Sequence, residues 1–62
     1  MKVKIERKTI EISGSKTVRQ VLRELNLNPE EVVVLKDGEP ITEDIRIADD
    51  EEIEILVVVS RG

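Results

Sequence analysis

Carboxylates are the side chains this sequence offers in number for chemistry: fourteen Asp and Glu stand against ten Lys and Arg, with no Cys, no His and no aromatic residue in 62. Paired carboxylates do acid–base work when burial or a neighbouring charge drives their pKa values apart. Glu30-Glu31 and Glu43-Asp44 have no imidazole, aromatic wall or apolar pocket in the pattern around them to do this, and read as surface. Asp49-Asp50-Glu51-Glu52 lacks the alternating spacing and the glycine of a calcium loop and reads as a solvated turn. Gly14 and Gly38 are isolated turn glycines without the surroundings of a phosphate loop. Without Cys or His, no thiol nucleophile, catalytic triad, disulfide framework or thiolate or imidazole zinc site can be built. The expectation is a protein that is not an enzyme, with no catalytic residue, no metal site and no bound cofactor.

A net charge of −4 has the wrong sign for a phosphate backbone, and no aromatic side chain is present to stack on a base, so nucleic acid is not an expected partner. The apolar run Ile55 to Val59 is far too short to span a bilayer, which needs about 20 residues. Nothing at the start resembles a charged segment followed by an apolar one, so no membrane is expected and the location reads as cytoplasmic. At 62 residues the chain makes one small domain. Its apolar residues are Val, Ile and Leu with one Met and one Ala, which makes the core aliphatic.

The elements follow from hydrophobic period. Val3 and Ile5 alternate with Lys2, Lys4 and Glu6, and Ile10 and Ile12 with Thr9 and Glu11, which predicts two strands joined as a hairpin of open turn type. After the break at Ser13-Gly14-Ser15, Val18, Val21, Leu22 and Leu25 fall on one helical stripe, and Thr17 with Gln20 forms a capping box. Asn26 or Asn28 suits the left-handed residue at the helix end, and Pro29 prevents continuation. Val32 to Leu35, the Asp37-Gly38 turn and a short edge strand through Pro40 and Ile41 form a second hairpin. A helical turn is expected at Thr42 to Ile45, with Ile45 and Ile47 closing the bottom of the core. Ile53 to Val59 is the longest strand.

This order, two strands, one helix, two strands and a last strand, predicts an α+β fold of the ubiquitin-like β-grasp type. Its mixed sheet of four to five strands is covered on one face by one helix, and the first and last strands pair in parallel at the centre. With Ile53, Ile55, Val57, Val32 and Val34 facing the helix, the pleat sends Val33, Leu35, Leu56 and Val58 to the uncovered face. An apolar patch on so small a protein marks a partner surface or the face of a homodimer; a Val-rich central strand with no partner is the third reading.

The segments Met1 to Ile5, Thr17 to Leu22, Val32 to Glu39, and Asp50 to Ile55 leading into Val58-Val59-Ser60-Arg61-Gly62 together resemble the ThiS/MoaD family of ubiquitin-like sulfur carriers and the small archaeal modifier proteins, over essentially the whole chain. The resemblance implies a domain over 1–59 and a flexible tail over 60–62. The family's chemistry lies in the backbone: an adenylating enzyme of the ubiquitin-activating type uses ATP and Mg2+ on the C-terminal glycine carboxylate. A sulfur donor system then forms a thiocarboxylate, which a sulfur-accepting synthase or tRNA-modifying enzyme consumes, as in the thiamin and molybdopterin pathways. Alternatively, a lysine amine attacks to give a protein conjugate.

On this chain the reacting carbon falls on Gly62, with Ser60 and Arg61 as tail, Val33, Leu35, Leu56 and Val58 as docking residues, and a monomer or weak homodimer as the oligomeric state. A glycine suits the end because a backbone without Cβ threads a narrow channel. The family ends in Gly-Gly, whereas Arg61 is penultimate here. Three readings of that departure stand: the enzyme accepts Arg61, a further glycine follows Gly62, or the chain is a non-conjugated β-grasp interaction module. Asp50 also replaces a frequent turn glycine, and Asp tolerates left-handed geometry better than most residues.

Overall fold

The computed structural model describes residues 1–58, so the boundary expected after residue 59 lies outside the described residues. Strand β1 (Lys2–Ile5) and strand β2 (Lys8–Glu11) form the expected antiparallel hairpin, with Glu6-Arg7 as its turn and Glu6 at φ 53°. Strand β3 (Lys16–Thr17) leads into helix α1 (Val18–Glu24), and a 3-10 turn (Pro29–Glu31) precedes β4 (Val32–Lys36). Then come β5 (Glu39–Ile41), β6 (Arg46–Ile47) and β7 (Glu52–Val57).

The main sheet runs β2-β1-β7-β4-β5, with β1 and β7 parallel and the other pairs antiparallel, and α1 packs on one face. This is the β-grasp architecture. The core comprises Met1, Val3, Val18, Val21, Leu22, Val32, Val34, Ile47, Ile53 and Ile55, all aliphatic. Full burial of a Val, Leu or Ile side chain contributes about 1.5–3 kcal/mol, and a chain of this size depends on each one.

Local chemistry sets the helix ends. The Thr17 hydroxyl accepts from Gln20 N–H at 3.2 Å while the Gln20 side chain accepts from Thr17 N–H at 2.9 Å, completing the capping box. Val18 and Arg19 N–H donate to the carbonyls of Ile45 and Glu43, both at 2.9 Å. At the other end Asn26 takes φ 60°, Leu27 N–H donates to Leu22 C=O and Asn26 N–H to Arg23 C=O, the paired bonds of a Schellman ending. Asn28, the other candidate, instead accepts from Glu30 N–H at 2.9 Å and caps the 3-10 turn. Asp37 (φ 54°) and Gly38 (φ 81°) give both central residues of their turn positive φ, the type I′ geometry that matches strand twist.

Four expectations are corrected. Residues 42–45 form a β-turn closed by Ile45 N–H on Thr42 C=O at 3.3 Å, not a helical turn. Because the carbonyls of Glu43 and Ile45 are aimed at the start of α1, Ile45 lies at the rim, 38% exposed, while Ile47 is fully buried. Val57 is 44% exposed although its β4 neighbour Val32 is buried, so the covered side of the sheet ends at the last residue of β7. Asp50 does not adopt positive φ, so its turn has no need of glycine. The two-residue strands β3 and β6 form a separate small sheet that the hydrophobic period did not announce.

Candidate functional site

The face of the sheet that α1 leaves uncovered divides into two halves. On β4 and β7, Val33 lies opposite Leu56 and Leu35 opposite Glu54. Val58 N–H donates to Glu31 C=O at 2.9 Å and carries the ladder one residue past β7. Alternation therefore gathers Val33, Leu35, Leu56 and Val58 on this face, as the sequence predicts. Their exposure is graded. Leu56 and Val58, beyond the last β1 partner of β7, are 39% and 54% exposed, whereas Val33 and Leu35 are half-buried. Pro40, opposite Leu35 on β5, extends the apolar half; the sequence marked it as an edge residue, and only the register assigns it a face.

The other half is charged. Lys2 and Lys4 on β1 face Glu52 and Glu54 on β7 in parallel register, and Glu11 and Thr9 on β2 lie beyond them. A shallow depression of about 260 Å³ lies where the halves meet, lined by Lys4, Leu35, Asp37, Glu52 and Glu54 among others. The face thus sets an apolar strip beside alternating charges, a composition with which a sheet can receive another protein.

The acidic run has structural duties. Asp49 accepts from Gly14 N–H at 2.5 Å and lies 3.7 Å from the Met1 amino group. Glu51 accepts from Ala48 N–H at 2.7 Å and pairs with Lys36. These two contacts, the Ala48 N–H first, hold the Glu51 carboxyl below the usual glutamate range, and Glu51 in turn raises the Lys36 ammonium. Thr42 O–H donates to Asp44 and lowers its carboxyl. Among the described residues no group of three or more Asp or Glu is arranged to hold a metal ion.

The larger hollow, about 520 Å³ beside the end of α1, collects Arg19, Arg23, Asn26, Asn28 and Glu43. Arg19 Nε is bound to Glu43 at 2.8 Å, which raises its guanidinium pKa, and the Asn28 carboxamide oxygen caps the 3-10 turn. Arg19, Glu43 and Asn28 are thus engaged in contacts within the fold.

Ser60, Arg61 and Gly62 lie outside the described residues. The distance from Val58 to Gly62 has an upper limit all the same: four residues reach at most roughly 14 Å when fully extended. That limit ties Gly62 to the neighbourhood of the end of β7, where Leu56 and Val58 are exposed.

A family model described as small archaeal modifier protein 2 matches residues 1–59. Over 57 residues the chain is 39% identical to a sulfur carrier protein, TtuB, of Thermus thermophilus, an alignment covering 92% of this chain and 88% of that protein. No helix among the described residues is long and apolar enough to cross a membrane.

Proposed function

The chain belongs to the small archaeal modifier protein 2 family, and from that premise we propose that it is a sulfur carrier whose Gly62 carboxylate is activated by a partner enzyme. Proteins of this kind are cosubstrates and not themselves enzymes. The observation that carries the reading is the likeness to a sulfur carrier over nearly the full length of both chains.

The chemistry needs no side chain from this protein. The Gly62 carboxylate attacks the α-phosphorus of ATP held with Mg2+ on an adenylating enzyme of the ubiquitin-activating type; pyrophosphate leaves and an acyl-adenylate forms. Sulfide delivered by a donor system then attacks the acyl carbon and displaces AMP, leaving a thiocarboxylate that a sulfur-accepting enzyme consumes. The acceptor is a cofactor precursor, as in the thiamin or molybdopterin pathway, or a tRNA. What this chain contributes is position. Val33, Leu35, Leu56 and Val58 dock the body, which makes the tail's approach intramolecular and raises its effective concentration. Arg61 sits where bare backbone is usual, so the partner's channel must take a guanidinium.

The description of the family as modifiers supports a second reading, in which a lysine amine displaces AMP and Gly62 forms an isopeptide bond. One experiment separates the two. The protein is incubated with the adenylating enzyme of its own source, ATP, Mg2+ and sulfide, and weighed intact. Exchange of oxygen for sulfur adds about 16 Da, whereas conjugation yields a product heavier by a whole acceptor protein. No mass change with that enzyme, while the enzyme activates another carrier in the same assay, refutes both and leaves a β-grasp interaction module.

A further inference from the structure

The main sheet ends on its two sides in opposite ways. Residues along an antiparallel ladder alternate between pairs that exchange both backbone hydrogen bonds and pairs whose N–H and C=O point away from the partner strand. On β5 the turn at Asp37-Gly38 closes on the pair Lys36–Glu39, so the next pair, Leu35–Pro40, turns the backbone of Pro40 outward. Proline has no N–H to give, and that edge cannot accept a further strand in register.

On β2 the opposite holds. Met1 and Ile12 exchange both bonds, at 2.6 and 2.9 Å. Alternation then makes Val3–Ile10 and Ile5–Lys8 bonded pairs as well and turns the N–H and C=O of Thr9 and Glu11 outward. Both residues are exposed. The edge of β2 is a template with its donors and acceptors in place.

We propose that β2 is a self-association edge, pairing antiparallel with β2 of a second copy about a two-fold axis at Ile10. In this register Thr9 and Glu11 of one copy exchange backbone bonds with Glu11 and Thr9 of the other. The side chains agree with it. On the uncovered face, the row Glu52, Lys2, Glu11 of one copy continues into Thr9, Lys4, Glu54 of the second, and no two like charges stand side by side in the row. On the helix side, half-buried Ile10 meets Ile10, and the Lys8 stem lies over Ile12. The contact is isologous and closes on itself, consuming both free edges. Since β7 and β4 are the second and third strands in from β2, Val33, Leu35, Leu56 and Val58 stay uncovered in both copies, and the inference stands or falls independently of the docking reading.

Sedimentation equilibrium of the full chain from about 20 μM to about 2 mM tests this. The wild type passes from monomer to dimer across the range. Thr9→Pro, which deletes an outward N–H and no bond to β1, stays monomeric, and Leu56→Asp dimerises as the wild type does. Amide exchange on the wild type reads the same edge without mutation: Thr9 and Glu11 slow about tenfold between the two ends of the range while Glu6 does not. That measurement decides the matter if Thr9→Pro fails to fold. A monomer at every concentration, a dimer untouched by Thr9→Pro or abolished by Leu56→Asp, or exchange at Thr9 and Glu11 that ignores concentration each overturns the proposal.

Discussion

Val33 and Leu56 face each other across the antiparallel pair β4 and β7, on the side of the sheet that no helix covers, while Val34 and Ile55, one residue along on each strand, face each other in the core. One step of the pleat separates the proposed docking contact from a packing contact. Leu56→Asp is therefore expected to leave the urea midpoint nearly unchanged, within about 1 kcal/mol, and to raise the KM for activation by the adenylating enzyme about tenfold or more with kcat preserved. Ile55→Ala is expected to cost about 2–5 kcal/mol. Equal destabilisation by the two would place Leu56 in the core and remove the candidate face.

The β-grasp order was legible because each long element carries a strong local signal. Val18, Val21, Leu22 and Leu25 can share a stripe only on a helix, and Thr17 with Gln20 marks its start. The faces of β4 and β7 were legible for a related reason: a period of two leaves a residue no choice once its neighbour is buried. What was missed depends on tertiary contacts. The strands β3 and β6 have two residues each, too few to show a period, and they exist because Lys16 and Thr17 meet Ile47 and Arg46. Ile45 looked like core by hydropathy, but the neighbouring carbonyls bind the helix start and hold it at the rim. Val57 keeps the inward period but lies at the last residue of β7, where the cover ends, and period alone does not show where cover stops.

At the Asp37-Gly38 turn, nothing lies within 4 Å of a Cβ added to Gly38, so substitution there meets no steric wall. The cost of Gly38→Ala is conformational, about 1–2 kcal/mol for an L-residue held at φ 81°. Denaturant titration should show this loss with the m-value preserved. No loss would mean that the turn relaxes to another type.

Two substitutions at the ends of α1 should have opposite signs. Thr17→Ala breaks the capping box and is expected to cost about 1 kcal/mol. Asn26→Gly relieves a side chain held at φ 60° and is expected to gain a few tenths of a kcal/mol against the entropy glycine adds to the unfolded chain. Thermal melts of both variants beside the wild type check the pair of signs; a destabilising Asn26→Gly would assign the Asn26 side chain a contact beyond its conformation.

The Glu51 contacts predict the shape of the acid limb. Ala48 N–H and Lys36 both favour the ionised carboxylate, so its folded pKa lies below its ordinary value of 4.5. A group depressed on folding contributes stability that is fully present above the unfolded value and is lost as pH falls through the folded one. The urea midpoint should therefore hold on the neutral side and decline from pH 4.5 downwards. Asp44, lowered by the Thr42 hydroxyl, adds to the decline below its ordinary 3.8. For Lys36, raised by Glu51, the sign reverses: its contribution is present below its ordinary 10.5 and is lost as pH rises through the folded value. Glu51→Gln keeps an acceptor for Ala48 N–H but no charge, and should flatten the acid limb and remove the Lys36 contribution at the alkaline end. Since Lys36 and Glu51 side chains are each 30% exposed, added salt should weaken the difference between variant and wild type. Acid limbs of equal slope in the two proteins would show that the carboxylates driving acid unfolding lie elsewhere.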